Sequence, residues 1–278
     1  MCEVLEVTRQ GYGKWLKSQG KPYKHEALLA LIKQVLGEDN ENSENYGVRR
    51  IYLALHINKG YTGSYSTICR VCRENGITLP KKKGSNSLTV SDKEAQKSEN
   101  LINQDFSAEK PNEKWLSDIT EVQCADGKLY VAPVLDCFDG AIVGLSMDDN
   151  MRKELCINAF EQSCRRQNAY GMIFHSDRGS QYTSNDFRDS LAKYGAIQSM
   201  SGTGRCYDNA RMESFFATLK KEKLYRIKTE NLPMETVKSI IWRYIEGYYN
   251  QRRIYTPNDG YPPLVYRNMY YSNQQSAA

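Results

Sequence analysis

Residues 113–147 read EKWLSDITEVQCADGKLYVAPVLDCFDGAIVGLSM. Three stretches rich in β-branched and aromatic residues are separated by turn chemistry, the pattern of a strand meander. The first lies within Glu113–Cys124 and is centred on Leu116–Val122; the second is Lys128–Cys137. The Phe138-Asp139-Gly140 turn leads into the third, AIVGLSM. Asp118 stands inside the first strand, where aspartate is disfavoured, so its position asks for a reason other than folding.

Downstream, Met151–Gln167 has the spacing of an amphipathic helix and Met172–His175 that of a short buried strand. Ser184–Tyr194 is predicted as a helix capped near Ser184 or Asn185, and Ala196–Met200 as a fifth strand. Tyr207–Leu224 and Pro233–Asn250 are the last two predicted helices. Three antiparallel strands followed by alternating helices and strands make residues 113–250 an α/β unit. The tail, residues 251–278, is rich in Tyr, Pro and Asn and reads as irregular. Residues 81–112 are polar and read as a linker, with a short helix near Lys93–Ile102.

Residues 1–80 read as helical. His25–Leu36 and Tyr46–Ile57 carry apolar residues at helical spacing, and the Asn58–Gly63 turn follows. Ser64 can cap a third helix that stops at Asn75-Gly76. On it Tyr65, Ile68, Cys69 and Cys72 share one face, and Ser66, Arg70 and Arg73 another. A DNA-recognition helix needs that division: one side packed, the other offering arginines to phosphates or guanine edges. The alternative is a small helical bundle with solvated arginines. Cys69-x-x-Cys72 has no second ligand pair at zinc spacing and reads as buried structural thiols.

The chain has 278 residues, 40% hydrophobic and 26% charged, which is globular composition. No apolar run is long enough to span a bilayer, and MCEVLEVTRQ at the start has no apolar signal region. Eight cysteines scattered without a framework suit a reducing, cytosolic compartment. The net charge of +5 is unevenly spread: residues 111–150 carry eight acids against two bases, between two basic regions. The basic regions can track phosphates, whereas the acidic block repels them unless cations intervene.

Three acids stand out. Asp118 lies in W-L-S-D-I-T, Asp177 follows the fourth strand in H-S-D-R-G-S-Q-Y-T-S, and Glu213 lies in Y-D-N-A-R-M-E-S-F-F-A-T-L-K. Fifty-eight residues separate the first two and thirty-five the last two. Spacing and flanks together resemble the DDE signature of retroviral integrases and of the second-reading-frame transposases of bacterial insertion sequences. The resemblance covers nearly the whole chain, including Y-Y-N-Q-R-R at 248–253. Such proteins often carry a His shortly after this last segment; here Tyr255 stands in its place.

The resemblance implies an RNase H-like integrase core, a mixed five-stranded sheet with flanking helices, preceded by a small all-α helix-turn-helix module. It implies that Asp118, Asp177 and Glu213 are catalytic and hold Mg²⁺ or Mn²⁺, two ions in all. Clustered carboxylates repel, by roughly 4 kcal/mol for a pair about 4 Å apart at an effective dielectric of 20, and hard divalent cations suit them. Two such ions support in-line displacement at phosphorus, with water to nick DNA or a 3′-hydroxyl to join it. Lys220 lies two helical turns beyond Glu213 on the same face, placed to hold a phosphate. His175, two residues before Asp177, reads as orienting it or contacting DNA, or equally as a satisfied strand-end histidine. Arg252 and Arg253 complete the candidate DNA contacts, with Arg70 and Arg73. The two glycines of Ser201-Gly202-Thr203-Gly204 suggest a mobile loop before the Glu213 helix. The partners implied are DNA, further copies of the chain, and an upstream-frame product or fusion. Two alternatives stay open: a metal nuclease that only hydrolyses, and a non-catalytic DNA-binding regulator.

Overall fold

The computed structural model describes residues 7–18, 22–39, 42–77, 98–202 and 206–277. The chain divides into two compact units, Met1–Pro80 and Lys81–Ala278.

The first unit is helical: α1 (Arg9–Ser18), α2 (Glu26–Glu38), α3 (Val48–Lys59) and α4 (Tyr65–Glu74). Its core joins Ile32 and Val35 of α2, Ile51 and Leu55 of α3, and Ile68, Val71 and Cys72 of α4, all buried. Gly60 ends α3 in the left-handed region, at φ +65°, and its N–H reaches the Leu55 carbonyl. The expected cap is present, since the Thr67 N–H donates to Ser64 Oγ at 3.3 Å. Ser66, Arg70 and Arg73 are exposed together, as their spacing predicts. Tyr65 departs from the expected apolar face: it is 39% exposed and lies edge-on to Tyr52, beneath the Arg49 guanidinium. Helix α1 went unexpected, because RQGYGKWLKS has two glycines and leaves Trp15 and Leu16 exposed rather than forming a buried stripe.

In the second unit the strands are β1 (Lys114–Ser117), β2 (Thr120–Cys124), β3 (Gly127–Asp136), β4 (Ile142–Asp148), β5 (Ile173–Ser176) and β6 (Ile197–Met200). Six strands replace the expected five because the first is interrupted. Both β1 and β2 pair antiparallel with β3 in one continuous register, Ser117 opposite Val134 and Thr120 opposite Val131, and the ladder lapses at Asp118-Ile119. Strand β4 pairs with the other edge of β3, while β5 runs parallel to β1 and β6 parallel to β5. The helices are α5 (Lys153–Arg166), the single turn α6 (Ser180–Thr183), α7 (Asn185–Lys193), α8 (Ala210–Glu222), α9 (Met234–Trp242) and α10 (Pro263–Ala277). This is the RNase H-like arrangement.

Strand alternation divides the core between the two faces of the sheet. Trp115, Val134, Val143 and Phe174 pack with Leu155 and Phe160 of α5 and Phe187 of α7. Their strand neighbours Leu116, Leu135 and Ile142 pack with Met212, Phe215 and Leu219 of α8 and Val237 and Ile241 of α9. Gly144 allows α5 its close approach, since a Cβ there would lie 2.4 Å from the Ala159 carbonyl.

Two expectations about the flanks are corrected. The tail is not irregular: α10 begins at Pro263, whose fixed φ suits the first turn of a helix. Its Arg267 is buried against Asp136 and Asp139, both completely buried, with contacts of 2.6 Å to each. Of the expected linker, residues 98–112 belong to the second unit. Ile102 is 2% exposed, Leu101 N–H donates to Ser199 Oγ, and Asn100 and Gln104 donate to the buried Asp208. Residues 98–102 are not helical, and the remainder of the expected short helix lies outside the described residues. Helix α9 runs on past its expected α-helical geometry as a π-helical stretch, Arg243–Tyr249, that buries Tyr244, Tyr248 and Tyr249.

Candidate active site

The lapse between β1 and β2 is where Asp118 sits. Its backbone leaves the ladder, and its own Oδ1 accepts the Ile119 N–H at 2.8 Å. In the parallel register Leu116 lies opposite His175, so Asp118 and Asp177 each stand two residues beyond a paired position, at neighbouring strand ends. Carboxyl ends of adjacent parallel strands are where open α/β sheets place their ligands. Asp177 accepts the Gly179 N–H at 3.0 Å in a tight turn. Glu213 enters from the first turn of α8, and Lys220 lies on the same flank of that helix.

The charges of Asp177, Glu213 and Lys220 all act on Asp118. Burial pushes the Asp118 carboxyl from its ordinary 3.8 up to about 7, and repulsion from Asp177 and then Glu213 adds to it. The Ile119 amide and the Lys220 ammonium act in the opposite direction. Asp177 and Glu213 are exposed and Asp118 and Lys220 half-buried. The carboxyl of Asp177 is raised as well, because protein crowds the sheet end around a side chain that water still reaches; the Gly179 amide opposes this. Among the described residues no group of three or more acidic, His or Cys side chains is arranged to hold a metal ion. What they offer is hard oxygen donors whose mutual repulsion a divalent cation relieves. The buried Oδ1 of Asn209 adds an oxygen with no hydrogen-bond donor, while Asn209 Nδ2 reaches the carbonyl of Ser117, next to Asp118. The donor chemistry therefore fits Mg²⁺ or Mn²⁺.

The raised carboxyl has a measurable consequence. Between about pH 4 and pH 7 the folded chain keeps a proton on Asp118 that the unfolded chain has lost, so Asp118 makes stability fall as pH rises through that window. Asp118→Asn removes this contribution. In chelator at pH 8 the variant is expected to be roughly 2–4 kcal/mol more stable than wild type, and at pH 4 about equal. Urea unfolding of both chains across pH checks this; parallel curves would show that Asp118 ionises without strain.

Other candidates fall elsewhere. His175 is completely buried, with Nδ1 2.8 Å from Ser199 Oγ and Nε2 3.2 Å from Ser201 Oγ. Burial lowers it to about 4, so it is a neutral, satisfied core histidine and not a DNA contact. Arg253 is also corrected: 6% exposed, it makes a two-pronged ion pair with buried Glu222 at 2.9 and 3.0 Å and stacks on Tyr249 and Tyr255. It is a strut for the end of the α9 extension. Arg252 is exposed and donates Nε to the Gly247 carbonyl. Arg70 and Arg73 belong to the helical unit, and Thr203 and Gly204 lie outside the described residues.

Sequence reading missed Asp208. It is completely buried just before α8 and accepts from Asn100 Nδ2, Gln104 Nε2 and the Gly202 N–H. Arg211, at the start of α8, donates to the Phe106 and Cys137 carbonyls. The D-N-A-R residues ahead of Glu213 thus clamp the 98–107 segment to the base of the glutamate helix. Only their position inside the Glu213 motif hinted at a role.

A family model for the integrase core domain matches residues 108–206, and a second integrase core model matches residues 213–271. An uncharacterized 31 kDa protein of insertion element IS600 from Shigella sonnei is 35% identical, covering 98% of both chains. The transposase InsF of insertion sequence IS3A from Escherichia coli (strain K12) is 32% identical over 96% of this chain and 93% of its own. Among solved structures, the HTLV-2 integrase catalytic core domain in complex with magnesium covers 58% of this chain and 99% of its own, at 20% identity and a TM-score of 0.46. Identity of that order along nearly the full length, in a chain that gathers acids at one end of a mixed sheet, makes it a member of the integrase-core family of DDE transposases of bacterial insertion sequences, polynucleotidyl transferases of DNA transposition.

Proposed function

We propose that this chain binds the ends of its mobile element, cleaves one strand to free a 3′-hydroxyl and transfers that end to target DNA. The observation that supports the reading is the placement of Asp118 and Asp177 just beyond neighbouring ends of the parallel strands β1 and β5, with Glu213 in the first turn of α8. Asp118, Asp177 and Glu213 are the residues that would hold two Mg²⁺ or Mn²⁺ ions. When bound, such ions neutralise phosphate charge and activate the attacking and leaving oxygens of an in-line displacement. Lys220 would hold a phosphate beside the cut, since it lies on the Glu213 flank of α8 and its charge acts on Asp118. No side chain needs to become covalently attached to DNA. Cleavage and joining are expected with Mg²⁺ or Mn²⁺ and to stop on chelation, while larger Ca²⁺ is expected to permit binding with little chemistry. Undiminished cleavage after exhaustive chelation contradicts the reading.

The helical unit would supply end recognition. Arg70 and Arg73 are exposed on the side of α4 opposite its buried Ile68 and Cys72. Arg70→Ala and Arg73→Ala are each expected to lower the slope of log affinity against log salt by about 0.9 if the arginine meets a phosphate. An arginine that reads a guanine would instead cost about 1–3 kcal/mol of sequence discrimination. Salt titrations with element-end and scrambled duplexes check both, and unchanged curves assign α4 a packing role alone. Bringing two ends together calls for several copies of the chain, with further end recognition from an upstream-frame product or fusion. Among the described residues no helix is long and apolar enough to cross a membrane.

A further inference from the structure

Helix α8 has two working flanks. Glu213 and Lys220 occupy one. Arg211, Ser214, Phe215 and Thr218 repeat at three- and four-residue intervals on the other, roughly half a turn away around the helix. This second flank forms one wall of a pocket of about 550 Å³, within the size range of small-ligand sites. The facing wall is Arg253, Tyr255 and Thr256. The floor is apolar and aromatic, with Leu135, Phe215 and Tyr249 all buried.

The charge of this pocket is unbalanced. Arg253 is cancelled by Glu222, as Arg267 is by Asp136 and Asp139. Arg211 is different, because its guanidinium donates to the carbonyls of Phe106 and Cys137 and meets the Tyr255 hydroxyl, all neutral oxygens. Those contacts fix the cation at the pocket wall without neutralising it. The hydroxyls of Ser214, Thr218 and Thr256 line the same space, and among the described residues none is engaged in a hydrogen bond. A held cation and three free hydroxyls above an apolar floor match a phosphate group, whose oxygens the guanidinium and hydroxyls can meet.

We propose that this pocket is a second phosphate-binding site, on the side of α8 away from the acidic cluster. The phosphate comes either from the backbone of bound DNA or from a free nucleotide or phosphate. The DNA source rests on the reading of the chain as a DNA-acting enzyme; the pocket chemistry does not.

Thr218→Glu places a negative charge among the hydroxyls and leaves the structural contacts of Arg211 intact. The Ser214→Ala/Thr218→Val double variant removes two hydroxyls without adding charge. Each full-length variant is compared with wild type in two arms, after its melting temperature shows that it folds. In the first arm, a random-sequence duplex is titrated against salt without divalent metal. Thr218→Glu is expected to weaken binding about tenfold or more near 0.1 M salt and to lower the log–log slope by about 0.9, the loss of one phosphate contact; the double variant weakens binding without changing the slope. In the second arm, inorganic phosphate is followed by ³¹P line broadening. Broadening that Thr218→Glu abolishes, with duplex affinity unchanged, supports the site with a free phosphate as its source. Wild-type affinity in both arms overturns the inference, as does a preference for a polyglutamate peptide over phosphate. If the wild-type chain binds no duplex at all, the functional reading fails, and the phosphate arm still decides the pocket.

Discussion

Asp118→Asn, Asp177→Asn and Glu213→Gln are each expected to lower DNA cleavage and joining by at least about a thousand-fold, with the fold retained. Each substitution is nearly isosteric, so packing is preserved while one hard anionic ligand is lost. Several kcal/mol of transition-state stabilisation by bound cations corresponds to that factor, at 1.36 kcal/mol per tenfold. The loss has a signature that misfolding does not share, because the three variants respond differently without metal. Asp118 is the half-buried acid that burial, and then the neighbouring acids, push upward, so its amide variant gains stability above neutral pH. Exposed Glu213 leaves stability nearly unchanged on conversion to Gln. Single-turnover assays on a duplex carrying the element end, beside metal-free unfolding curves, check both parts. A variant that keeps near-wild-type joining under Mg²⁺ removes its acid from the site.

Arg267→Met is expected to destabilise the catalytic unit by about 3–5 kcal/mol, the cost of leaving buried carboxylates uncompensated. The guanidinium reaches Asp136 at 2.6 Å and Asp139 at 2.6 and 3.1 Å, and all three residues are buried. Asp136 also accepts from the Asn112 and Phe138 amides and from Trp115 Nε1, so it ties together the start of β1, the β3–β4 turn and α10. Burial and the neighbouring Asp139 hold its carboxyl up near 6 even with Arg267 opposing them. Without the cation Asp136 is pushed further up and takes up a proton more readily, so the variant recovers part of its stability as pH is lowered toward 5. Asp136→Asn in the Arg267→Met background is expected to restore part of the loss at neutral pH. Urea unfolding measures all three chains. A cost below about 1 kcal/mol for Arg267→Met shows that α10 rests on the core without anchoring it.

The strands that hold the site were legible because both faces of the sheet are buried. Trp115 and Leu116, or Ile142 and Val143, are apolar neighbours that point to opposite cores. The acids were legible because their spacing and flanks are distinctive, and Asp118 because a strand interior is the wrong place for it. The structure resolves that conflict by breaking the strand at Asp118 while keeping its register on β3. What sequence could not reveal depends on partners far along the chain. His175 and Arg253 look like exposed DNA contacts until Ser199, Ser201 and Glu222 are found beside them. The polar 98–107 segment looks like linker because its anchors, Asp208 and Arg211, lie about a hundred residues away. Helix α10 hides in a tail rich in Tyr and Asn because its partners are distant: Asp136 and Asp139 for Arg267, and Phe138 for Tyr266 and Tyr270.

One acidic cluster is proposed both to cut DNA and to join it. The most direct measurement gives the purified chain a duplex from the element end with its 3′-hydroxyl already exposed, together with a target duplex and Mg²⁺. Joined product is expected from wild type, absent with chelator and absent in Asp118→Asn. Hydrolysis of the target with no joined product, under conditions where the pre-cut end is bound, would contradict the account and leave a metal nuclease in its place.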